Sequence, residues 1–275
     1  MLIAHLTDLH VRPSGQPAYR VSETTMFTRR AVDAVRALPS RPDCLIISGD
    51  LTDCGLVEEY QLLKGLLDRL DMPVYLIPGN HDRRENLTDV FAGYPGIAPG
   101  AQRVRYAVED HPVRLIALDT VVPGASRGEL DAQSLAWLDE TLAARPHAPT
   151  IVFMHHPPFD CGIRHMDVIR LLDGAEAMEA IVARHHQVER VLCGHHHRPI
   201  HRRWAGTIAS TGPSVAHQVT LDLDPRDAGS MVFEPPAYQL HLWSEEAGLV
   251  THMAYVERFP GPHPFVLDPS YPGMS

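Results

Sequence analysis

Five short apolar runs, at 2–7, 43–48, 74–77, 150–154 and 188–193, each stop at residues whose side chains bind metal ions. The first leads into Asp8-Leu9-His10 and the second into Gly49-Asp50. The third leads into Gly79-Asn80-His81-Asp82, the fourth into His155-His156 and the fifth into Gly194-His195-His196-His197. Runs this continuous are the strands of a parallel sheet buried on both faces. Between them lie apolar residues at helical spacing: Phe27, Ala31, Val35 and Leu38 predict a helix over about 23–38, and Leu62, Leu63, Leu66, Leu67 and Leu70 predict one over about 58–70. Alternating strands and helices make an α/β fold, and open α/β sheets gather their functional groups at the carboxyl ends of the strands.

The remaining segments follow the same logic. Residues 103–108 and 113–118 read as paired strands, and 132–144 and 175–185 as helices. Beyond residue 200 only short strands are expected, at 208–210, 219–223, 238–243 and 249–256, and these should complete a second sheet. The loop 224–236 reads as a functional cap or an excursion. The whole of 1–275 is expected to form one domain, with 220–256 as a cap or oligomerisation segment and 257–275 as an irregular tail.

Composition narrows the function. A formal charge of −10 argues against an extended nucleic-acid track, whereas a small anionic substrate is compatible with bound dications that reverse the local field. No signal-like leader and no apolar run of transmembrane length is read, so no membrane partner is expected. Cys44, Cys54, Cys161 and Cys193 lack paired spacing, which predicts reduced thiols and a cytoplasmic protein.

The residue types at the strand ends suit one kind of chemistry. Two dications roughly 3.5–4 Å apart clamp a phosphoryl group, and carboxylate, imidazole and amide oxygen donors suit Mn, Fe, Zn or Co. In order and composition the five blocks resemble those of the calcineurin-like binuclear metallophosphoesterases, over about residues 4 to 200. That resemblance implies a four-layer α/β/β/α sandwich of two mixed sheets flanked by helices, with two divalent or mixed-valence ions at the strand carboxyl ends. It implies that Asp8, His10, Asp50 and His197 bind one ion, and that Asp50, Asn80, His156 and His195 bind the other, with Asp50 as the bridge.

His155 competes with His156 for the same role. If 195–197 is extended, His195 and His197 face one way and His196 the other, behind the ligands or at the surface. His81 is left free to bind phosphate or protonate the leaving oxygen, with Asp82 as its orienter. His217 is a second catalytic candidate, because 212–218 resembles a His-bearing loop of bacterial glycerophosphodiesterases, against the reading of an exposed loop histidine. Ser126 and Arg127 are possible substrate contacts. Asp53 stands where purple acid phosphatases carry tyrosine, which disfavours a tyrosinate-iron monoesterase.

The resemblance thus implies a phosphodiesterase acting on 3′,5′-cyclic nucleotides or glycerophosphodiesters by attack of a metal-bridging hydroxide, in a homo-oligomer. A phosphomonoesterase or nuclease on the same metals, or a silent scaffold, are the competing readings.

Overall fold

The five strands expected to carry the site form close to their predicted bounds in the computed structural model, which describes residues 1–226 and 228–263. The first half runs β1 (Leu2–Leu6), α1 (Thr24–Arg36), β2 (Cys44–Ser48), α2 (Val57–Leu67), β3 (Val74–Ile77), α3 (Arg84–Val90), β4 (Tyr106–Val108), β5 (Arg114–Leu118), β6 (Gly128–Glu129) and α4 (Ala132–Ala143). It continues with β7 (Thr150–Met154), α5 (Arg164–Asp167), β8 (Leu171–Asp173), α6 (Ala175–Arg184), β9 (Val188–Cys193), β10 (Ile200–Trp204), β11 (Thr207–Thr211), β12 (Gln218–Val219), β13 (Met231–Val232), β14 (Ala237–Ser244) and β15 (Gly248–Tyr255).

Two mixed sheets result. The first has the order β15-β14-β1-β2-β3, with β1, β2 and β3 parallel. The second has the order β10-β11-β9-β7-β5-β4, with β11, β9, β7 and β5 parallel. Helices α1 and α2 pack together, as do α4 and α6. Helix α1 buries Ala31, Val32 and Val35, and α2 buries Tyr60, Leu63, Leu66 and Leu67. Each valine or leucine so buried contributes about 1.5–3 kcal/mol. The start of α2 is capped by Glu59, whose carboxylate accepts from the backbone N–H groups of Leu56 and Cys54 at 3.0 and 3.1 Å.

The strands after residue 200 depart from expectation. Strands β10 and β11 join the second sheet, but β14 and β15 extend the first, where β14 pairs antiparallel with β1 (Leu2 opposite Leu242). The free edge of β1 and the buried faces of Tyr238, His241 and Trp243 explain the difference. The strand expected at 219–223 shrinks to the two residues of β12, paired with β13. Helices α3 and α5 and strands β6, β8, β10 and β13 escaped the sequence reading, being short or weakly periodic. The expected irregular tail has no helix or strand up to residue 263, and 264–275 lie outside the described residues.

Candidate metal centre

The parallel registers bring the strand ends level. Leu6 pairs with Ile47, Ile47 with Leu76, and Phe153 with Leu192, so β1, β2, β3, β7 and β9 deliver Asp8, Asp50, Asn80, His155 and His195 to one place. The backbone there is unusual. Asp8, His10, Asp50, His195 and His197 all have positive φ, from 46° to 68°, among only eight such non-glycine residues in the described chain. Positive φ disfavours L-residues and persists where the surroundings impose it, typically at functional sites. Gly79 is required for a related reason: a Cβ there would fall on the Asp50 carboxylate.

Hydrogen bonds fix the state of three imidazoles. Nδ1 of His10 faces the Asp53 carboxylate at 3.3 Å, Nδ1 of His197 the His217 carbonyl at 2.9 Å, and Nδ1 of His155 the Ser48 carbonyl at 2.8 Å. Carbonyls and carboxylates only accept, so each Nδ1 carries a proton, and in neutral His10 and His197 the Nε2 keeps a lone pair. Those lone pairs converge. Nε2 of His10 lies 3.1 Å from Nε2 of His197, which lies 3.4 Å from an Asp8 oxygen. Nε2 of His155 lies 3.1 Å from Oδ1 of Asn80. Nε2 of buried His195 has no hydrogen-bond partner among the described residues. Facing lone pairs repel unless a cation sits between them, so the donor set fits metal ions.

Among the four groups of donors that lie together are Asp8, His10, Asp50 and His197 in one and His155, His156 and His195 in another. Oδ2 of Asp50 touches both, at 3.5 Å from His10 Nε2 and 3.4 Å from His155 Nε2. Burial opposes its charge, but His155, His81 and His10 hold its carboxyl well below the usual range. Burial likewise opposes protonation of His155, yet Asp50 raises its pKa to about 9.

Several expectations change. His156 lies in the second group beside His155 and His195. Its Nδ1 meets the Thr120 hydroxyl at 2.7 Å and its Nε2 the Ser126 carbonyl at 3.2 Å. His195 and His197 enter different donor groups, each by a left-handed turn rather than by an extended strand. His196 is not at the surface: it is buried near Phe159 and His195.

Asp82 does not touch His81. Its carboxylate accepts from the N–H groups of Leu51, Thr52 and Gly79 at 3.0, 3.1 and 2.8 Å, and from the hydroxyls of Thr52 and Tyr60 at 3.0 and 2.9 Å. It binds the β2 loop to the β3 loop instead. His81 is held by the Asp53 carbonyl, 2.8 Å from its Nδ1, and its own N–H donates to Asp50 at 2.9 Å.

His217 is buried, with its ring 4.8 Å from that of His197 and 5.4 Å from that of His10. Burial first, then the neighbouring imidazoles, lower its pKa to about 2. Ser126 lines the cavity, while Arg127 turns away to pair with Asp173. Tyr19, in a left-handed turn (φ 49°), lies over the rings of His10, His81 and His217. Nothing in its polar loop announced it.

These residues open into one cavity of about 440 Å³, also lined by Met166, Ile169, Val219 and Met231. Residues 1–199 match the calcineurin-like phosphoesterase family. The chain is 38% identical over 265 residues to a probable glycerophosphodiester phosphodiesterase GpdQ of Arcobacter nitrofigilis, covering 96% of this chain and 97% of that protein. It is 36% identical over 234 residues to a probable cyclic nucleotide phosphodiesterase of a Synechococcus species, covering 85% and 88%. Among solved structures a dimetal phosphatase from Danio rerio superimposes with a TM-score of 0.64 at 16% identity, over 94% of this chain and 99% of that one, a likeness of fold.

Proposed function

The chain belongs to the calcineurin-like phosphoesterase family, and on that premise we propose how its residues divide the work of a metal-dependent phosphodiesterase. It hydrolyses small phosphodiesters of the kind named for its relatives, glycerophosphodiesters or 3′,5′-cyclic nucleotides. Asp8, His10, Asp50 and His197 hold one ion. Asp50, Asn80, His156 and His195 would hold the other, with His155 beside Asn80 and Asp50. When bound, a cation pair supplies positive charge to the phosphoryl oxygens and activates water at neutral pH.

The chain's own groups do the rest. His81, oriented by the Asp53 carbonyl and lining the cavity, donates its proton to the departing ester oxygen. His217 excludes water beside His197 and meets the phosphate. The mixed donor set favours Mn, Fe, Zn or Co. The observation that carries this reading is the single Asp50 oxygen facing Nε2 of both His10 and His155.

Part of 220–256 serves as a cap, since Ser230 and Met231 line the cavity. The exposed Leu242 and Val250, cross-strand partners, leave an outer face for a homo-oligomer, which light scattering would test. Among the described residues no helix is long and apolar enough to cross a membrane, and the free cysteines agree with a cytoplasmic setting. The test of function is hydrolysis of cyclic AMP, glycerophosphodiesters and an aryl monoester by metal-free protein supplied with each metal. Diester turnover that depends on added metal is expected; turnover of the monoester alone would refute the assignment.

A further inference from the structure

We infer that the apolar wall of the cavity is a subsite for one ester arm of the diester, and that it selects an uncharged arm with an aromatic or aliphatic face. The inference rests on the phosphodiesterase reading and adds the class of arm. The cavity is continuous. Its lining joins the metal-facing Asp50, Asn80, His195 and His197 to the apolar Met166, Ile169, Val219 and Met231, with His165 and Ser230 beside them. A phosphate held by the first set therefore shares its cavity with the second, and its arm can reach that wall.

That apolar wall is built rather than incidental. Met166 is buried, and Ile169, Val219 and Met231 are half-buried. Gln218 pairs with Val232, and Thr220 N–H donates to the Ser230 carbonyl at 2.9 Å, which closes the β12–β13 loop on itself. Arg198 braces it from outside through the Val219 carbonyl at 2.7 Å and Glu234 at 2.8 Å. Gly229, at φ 86°, packs against the His165 ring so closely that a Cβ would come within 2.8 Å. The loop thus rests on the α5 segment and fixes the width of the slot.

Two kinds of chemistry distinguish arms that reach it. Thioethers such as those of Met166 and Met231 pack favourably on aromatic rings and adapt to their shape. A quaternary ammonium arm would leave water without gaining a counter-charge, because Asp50 is the only carboxylate among the described lining residues and the ions claim it. A phenyl, nucleoside or alkyl arm suffers no such loss.

The experiment uses three diesters that share a p-nitrophenyl leaving group and differ in the other arm: phenyl, ethyl and choline. With Mn(II)-loaded protein, kcat/KM for the phenyl arm should exceed that for choline by about tenfold or more, with ethyl between. In a Met166→Ala/Met231→Ala double variant the phenyl-to-ethyl ratio should collapse toward one. Met231→Glu should shift the choline-to-phenyl ratio upward by about tenfold. A wild-type preference for choline, or ratios unchanged in both variants, would overturn the subsite. No nitrophenolate from any of the three would overturn the diesterase reading itself, and the subsite with it.

Discussion

Nδ1 of His81 lies 2.8 Å from the main-chain oxygen of Asp53, and the carboxylate of that same residue lies 3.3 Å from Nδ1 of His10. One residue therefore sets the orientation of a metal-facing imidazole and of the ring proposed to meet the substrate. The two duties use different atoms, so substitution separates them.

Asp53→Ala deletes the carboxylate and keeps the carbonyl. The metal concentration needed for half-maximal activity should rise about 10- to 100-fold, as is usual when the partner of a metal-bound histidine is lost. The dependence on leaving group should stay as in the parent. Unchanged metal demand would show that the Asp53 carboxylate does nothing for His10.

Asp82→Ala should act on stability. It removes an acceptor from three backbone N–H groups and two hydroxyls, all buried, and should cost about 3 kcal/mol in urea unfolding. If the surviving folded enzyme instead showed a changed leaving-group dependence with no loss of stability, Asp82 would have to act on His81 after all.

His81→Ala should keep its metal content and lose about 10²- to 10⁴-fold in turnover for an alkoxide leaving group. For p-nitrophenolate, which departs without a proton, the loss should be much smaller. Equal losses for both would mean that the ring contacts phosphate oxygens and donates no proton.

Much of this was legible in the chain. Continuous apolar strands ending in Asp8, Asp50, Asn80 and the histidine blocks gave the parallel cores and their functional ends, because burial and side-chain chemistry are local properties of sequence. What stayed hidden depends on backbone conformation. Left-handed φ at His195 and His197 replaces the extended backbone expected there, and spacing alone does not distinguish the two. His155 and His156 are adjacent and both reach the second donor group, so spacing alone does not choose between them. Asp82 looked like an orienter because it follows His81, yet its carboxylate reaches back to Leu51 and Thr52 across the sheet.

A pair of histidines away from the metals predicts an acid-sensitive core. His5 and His241 are buried and joined by a 3.3 Å hydrogen bond. Burial lowers the pKa of His5 to about 4 and that of His241 well below its ordinary value. Below pH 6.5 the unfolded chain therefore binds more protons than the folded one, so stability falls as pH drops from about 6.5 toward 4, by up to about 1.4 kcal/mol per pH unit for each ring. Urea midpoints measured from pH 7 to pH 5 should decline less steeply for His5→Gln than for the parent. Identical slopes would remove the pair from the account.

The central claim is that Asp50 joins two ion sites in one cavity, and metal titration against turnover tests it most directly. Chelator-stripped protein titrated with Mn(II) should reach full diester hydrolysis at two bound ions per chain. His156→Ala should bind one ion fewer and Asp50→Ala should lose nearly all activity. Full activity with one ion or none, or an Asp50→Ala variant that still turns over at the parent rate, would contradict it.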